Sequence, residues 1–69
     1  MSIASAALQF IQFKTADSTS VTAEYVADEL FTVVNQDSMK TVRALLRDMR
    51  KAGKIKARVI NGNVYYRAV

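Results

Sequence analysis

A chain of 69 residues has room for one core, and a core of that size leaves folding only marginally favourable. Cysteine and histidine are both absent, which excludes disulfides and the usual metal sites as supports, so no metal and no cofactor are expected. The net charge of +4 hides a −4 half (residues 1–39, Lys14 against five acidic side chains) and a +8 half (residues 40–69, nine cations against Asp48), a split that favours an anionic partner for the second half.

The opening MSIASAALQFIQF has no basic segment ahead of its apolar run, and Gln9 and Gln12 interrupt that run. It reads neither as a secretory leader nor as a membrane span, so a soluble, cytoplasmic protein without a membrane partner is expected. Ser2 is placed to cap a first helix over about 3–14, with Ile3, Ala7, Phe10, Ile11 and Lys14 at helical spacing. The alternation in Leu8-Gln9-Phe10 makes a strand the weaker alternative. A polar connection, ADSTS, follows, with room for a few extended residues before Val21.

Thr22 is the expected cap of a second helix over about 22–34, with Val21 and Val26 at the positions of a hydrophobic staple and Glu24 in the first turn. Its apolar stripe is Val26, Ala27, Leu30, Phe31 and Val34, and Asn35 reads as its stop. A third helix, over about 38–52, opens at Asp37 or Ser38 and turns Met39, Val42, Leu45, Leu46 and Met49 inward, with Ala52 closing the stripe. Arg50 and Lys51 suit its C-terminal dipole, and Gly53 stands where the chain must leave the helix.

Asn61-Gly62 between two alternating runs predicts a hairpin over about 54–69 with a type I′ turn, which needs positive φ at both central positions. Residues whose numbers sum to 123 then lie opposite each other. Ile55/Ala68, Ala57/Tyr66 and Val59/Val64 share the inner face, and Lys56/Arg67 and Arg58/Tyr65 share the outer one.

This order of VTAEYVADEL, SMKTVRALLRDMRKAGKI and a basic ribbon about Asn61-Gly62 resembles the winged helix-turn-helix domain of small bacterial or phage DNA-binding regulators. The resemblance runs from about Ile3 to the end of the chain. It implies one mainly α domain over 1–69, three helices with a C-terminal β-hairpin, that binds double-stranded DNA to regulate transcription. The third helix would enter a major groove, and the hairpin would act as a wing on the backbone or minor groove. TVVNQD, within the stretch from Leu30 to Val42, lacks the glycine usual near the helix-turn-helix turn.

The residues point the same way. On the third helix Lys40, Arg43, Ala44, Arg47 and Lys51 lie opposite the apolar stripe. A merely solvated face normally mixes signs at i,i+4, whereas Lys40/Ala44, Arg43/Arg47 and Arg47/Lys51 offer no such pairing. On the hairpin, Lys56 directly opposite Arg67 is destabilising unless an anion bridges them or strand twist separates them. Lysines on a strand edge also discourage aberrant pairing, which accounts for one or two of these charges but not for Lys54, Lys56, Arg58 and Arg67 together. The expected DNA-binding set is therefore Lys40, Thr41, Arg43 and Arg47 in the groove, with Ser38 near a phosphate at the helix start. Arg50 and Lys51 would lie on the backbone, and Lys56, Arg58, Asn61, Asn63 and Arg67 in the wing.

An enzyme is not expected, because the chain has no histidine, cysteine or glycine-rich phosphate loop. The competing function is a protein-interaction adaptor on the same fold, docking through the acidic second helix or the basic third. A homodimer also stays open. Phe10, Phe13 and Phe31 are assigned to the core, and an exposed phenylalanine would favour the adaptor or a dimer seam.

Overall fold

In the computed structural model, which describes residues 2–17 and 19–69, every helix begins on a side-chain oxygen that accepts from a backbone N–H otherwise left without a partner. Ser2 caps α1 (Ile3–Lys14) through the Ser5 N–H, and Thr22 caps α2 (Ala23–Leu30) through the Tyr25 N–H, both as expected. The cap of α3 (Gln36–Lys51) is Asn35, and it corrects the expected boundaries.

The second helix stops at Leu30, not Val34, and Phe31 is already extended at φ −126° and ψ 140°. Leu30, Phe31 and Val34 do continue the apolar spacing. However, Thr32, Val33 and Val34 are three consecutive β-branched residues, which lose side-chain freedom in a helix. Asn35 also satisfies more backbone as a beginning than as an end. Its side chain accepts the Ser38 N–H at 3.0 Å, while the Ser38 hydroxyl accepts the Asn35 N–H at 2.8 Å. This reciprocal box starts α3 at Gln36 and leaves residues 31–35 as the connection.

The far end of α3 closes as a Schellman motif. The Lys54 N–H donates to the Met49 carbonyl and the Gly53 N–H to the Arg50 carbonyl, both at 3.0 Å. Gly53 takes the required positive φ, 76°. The chain then enters β1 (Ile55–Ile60), turns through Asn61 at φ 52° and Gly62 at φ 81°, and returns as β2 (Asn63–Ala68). The antiparallel register runs from Ile55 opposite Ala68 to Ile60 opposite Asn63, as the turn residues require.

Two ties from the α1–α2 region hold the hairpin. Val21 exchanges backbone hydrogen bonds with Tyr66 at 2.8 and 2.7 Å, adding a one-residue bridge beside β2. The buried Thr15 hydroxyl accepts the Ala68 N–H at 3.0 Å and donates to the Ile11 carbonyl at 2.7 Å.

The result is three helices followed by an antiparallel hairpin, a winged-helix-like topology. α1 packs on both other helices and on β2, and α3 packs on β1. The core gathers Ala7 and Ile11 from α1, Val26 and Ala27 from α2, and Val42, Leu46 and Met49 from α3, with Val21 and Ile55. Several apolar expectations are corrected, among them Val34 and Val64, 42% and 39% exposed. Phe13 is 76% exposed, because it sits on the side of α1 away from Ala7 and Ile11, whereas Phe10 and Phe31 do pack against the core. Ala52 is exposed, since the helix ends before it. Val59 is 68% exposed, because the wing outruns the helices and only its base covers the core. Among the described residues no helix is long and apolar enough to cross a membrane.

Candidate nucleic-acid interface

Burial of Val42, Leu46 and Met49 fixes the rotation of α3, and this decides which side chains face outward. At 3.6 residues per turn, Arg50, Arg43, Arg47, Lys40 and Lys51 fall in that order within an arc of roughly 100°, which runs from one flank of the buried stripe to the side opposite it. All five are exposed. Among the described residues only Arg47 approaches a carboxylate, 3.6 Å from Asp48, and both side chains are more than half exposed, so water screens the pair heavily. Thr41 lies on the Asp37–Asp48 flank instead, its hydroxyl donating to the Asp37 carbonyl at 3.1 Å.

Ser38, expected near a phosphate, is 7% exposed, with its hydroxyl engaged with Asn35. The same box that begins the helix withdraws this side chain from the surface.

Arg43, next to Arg50 near one end of the cationic arc, lines a groove of about 390 Å³. The opposite wall is the wing, through Gly62, Asn63, Val64 and Tyr66, and the end wall is the start of α2, through Thr22, Ala23 and Glu24. The fold therefore brings Arg43 to the helix-facing side of the hairpin, where Val64 and Tyr66 face it, and Asn63 borders the same groove at the turn, its side chain on the other face by strand alternation. Asn61 is exposed in the turn beside them. Around the N-terminal end of α3, Val34, Met39, Lys40 and Arg43 border a second, more open depression of about 560 Å³.

The remaining expected wing residues are elsewhere. Successive side chains of a strand point to opposite faces. Since Ala57 and Tyr66 face inward, Lys56, Arg58, Tyr65 and Arg67 face away from α3. They border their own depression of about 390 Å³, joined by Ser20. Cations that a reading of the sequence gathers into one site are thus divided between two sides of the ribbon.

Sequence reasoning missed Glu24 and Ser20 as neighbours of these cations. Thr22 is legible as a cap, but nothing local reveals that Arg43 lies across a groove from it. Comparison with known protein families, with characterised proteins and with solved structures finds no match for this chain, so a functional reading rests on its own residues.

Proposed function

We propose that the chain binds double-stranded DNA, with α3 in the major groove and the wing tip at Asn61 and Asn63 on the adjoining backbone or minor groove. The observation that carries this is the arc of five exposed cations on α3, bordered at Arg43 by the groove that leads to the wing. A helix fits a major groove, and guanidinium groups pair with phosphate and with the guanine edge. Arg43, Arg47 and Lys40 are the groove residues, and Arg50 and Lys51 the backbone contacts. A small transcriptional regulator of bacterial or phage type is the role this suggests. Glu24 is a repulsive element in that groove and limits how closely a phosphate approaches it.

The test is binding of a labelled random duplex across a salt series, followed by selection of a preferred site. Affinity should fall steeply with salt, and Arg43→Ala with Arg47→Ala should abolish preference for the selected site. No binding at low salt would sink this reading.

A protein-interaction adaptor is the second reading, and the observation behind it is Phe13. It lies exposed near Lys14 and Tyr25, with the Lys14 Nζ 5.7 Å from one ring centre and 5.9 Å from the other. Asp28 and Glu29 are exposed on α2. Concentration-dependent self-association abolished by Phe13→Ser would support a dimer seam there.

A further inference from the structure

The outer face of the hairpin holds three cations that the proposed α3 interface does not use. Lys56 and Arg58 are two residues apart on β1, and Arg67 lies directly opposite Lys56 on β2. All three are exposed, and among the described residues none has a carboxylate within ion-pair distance. The depression they border has hydroxyls at Ser20 and Tyr65 and no acidic side chain in its lining. Like charges facing each other across a strand pair weaken it. A bound anion would reverse that penalty, because its charge would be shared by both strands.

Which anion follows from where this face points. Arg43 meets the hairpin on the side of Val64 and Tyr66, whereas Lys56, Arg58 and Arg67 project from the other side. A duplex seated on α3 and the wing tip therefore leaves the outer face open. Cations spaced along a β-ribbon match a run of backbone phosphates better than a single small ion, and the hydroxyls add neutral phosphate donors. We propose that the outer face of the hairpin is a second DNA-binding surface, through Lys56, Arg58 and Arg67, which takes the phosphate backbone of another duplex so that one copy of the chain bridges two. The proposal rests on the α3 reading for its first duplex and adds the second.

Bridging is read by capture of a free fluorescent duplex on beads carrying an immobilised one, with the full chain added between them. Binding of the protein to the immobilised duplex is measured separately. The test variant is Lys56→Gln/Arg58→Gln/Arg67→Gln, whose fold is checked by thermal unfolding and which removes the like-charge opposition. It should still bind the immobilised duplex through the α3 surface, within about threefold of the parent, yet capture at least about tenfold less free duplex, since the second surface is lost. Sedimentation of the unmodified chain with excess short duplex gives an independent answer: two duplexes per single chain are expected. Capture by the triple variant equal to that of the parent overturns the proposal. So does a parent that binds the beads but captures nothing or sediments with one duplex per chain, and either result leaves the α3 reading standing. Failure of the parent to bind the beads at low salt is a different outcome, since it removes the α3 reading and the bridge with it.

Discussion

Arg43 and Glu24 stand on two walls of one groove with opposite consequences for a phosphate. Arg43→Ala should weaken a selected DNA site by about 1–3 kcal/mol if the guanidinium reads a base edge, measured by fluorescence anisotropy. Equal losses on selected and random duplexes would make it a backbone contact. Glu24→Gln should strengthen binding to any duplex by about two- to fivefold, the scale of an exposed charge interaction. Thr15 is a residue of a different kind, because its hydroxyl is the only partner of the Ala68 N–H shown among the described residues. Thr15→Val keeps the shape and orphans that donor, so it should destabilise the fold by about 1–3 kcal/mol in urea unfolding. Asp17 is one carboxyl whose titration the fold shifts. Hydrogen bonds from the Thr19 hydroxyl and N–H, at 2.8 and 3.3 Å, hold its carboxyl below the usual value of 3.8. The hydroxyl also lies 2.7 Å from the Lys14 carbonyl, so one proton serves two acceptors. A carboxyl depressed in the folded state stabilises it above the unfolded pKa, and that stabilisation is lost as pH falls through the folded pKa. Thr19→Val should therefore raise the Asp17 titration midpoint towards the usual value when followed by carboxyl NMR.

At the scale of elements, what is legible in the chain is whatever a local signal decides. Ser2 and Thr22 announce their helices, and Asn61-Gly62 sets the turn and through it every pair of the hairpin. The failures share one cause. Residues 31–35 carry a helical apolar spacing and an asparagine that can stop one helix or start the next. The choice depends on Ser38 reciprocating and on three β-branched residues resisting helix. Local spacing also cannot say how far the wing outruns the helices, so alternation alone turns Val59 and Val64 towards a core that does not reach them. For the site, the alternation of the strands is legible, but not that α3 approaches the inner side of the ribbon. Gly53 allows a test at this scale. A Cβ there would meet nothing within 4 Å, so the cost of Gly53→Ala is conformational rather than steric. At φ 76° that cost is about 1–2 kcal/mol, and Gly53→Asn, which tolerates this region better, should lose less in the same urea titration.

For the molecule as a whole, small size makes stability and binding hard to separate. A chain of this length holds roughly 3–10 kcal/mol of folding free energy, and truncating a fully buried leucine such as Leu46 to alanine removes about 2–5. Loss of DNA binding in such a variant would therefore say little about the interface, whereas variants on the surface, at a cap or at a turn keep the two effects apart. The same smallness turns stability into a sensor. If the five cations of the α3 arc each neutralise one phosphate, log affinity should fall with log salt at a slope of about −4.5. Any ligand that binds only the folded chain stabilises it by mass action, about 2.7 kcal/mol at one hundred times its Kd. In a domain of this size each kcal/mol moves Tm by about 4–8 °C, so saturating duplex at low salt should raise Tm by roughly 10–20 °C. Raising the salt at constant duplex concentration should erase the shift while leaving the Tm of the free chain nearly unchanged. Arg43→Ala/Arg47→Ala should keep the free Tm and lose most of the shift. An unchanged Tm with duplex at low salt, in a chain that unfolds cooperatively, would mean that the basic half meets some other partner, and Phe13 on the opposite half would be the place to look for it.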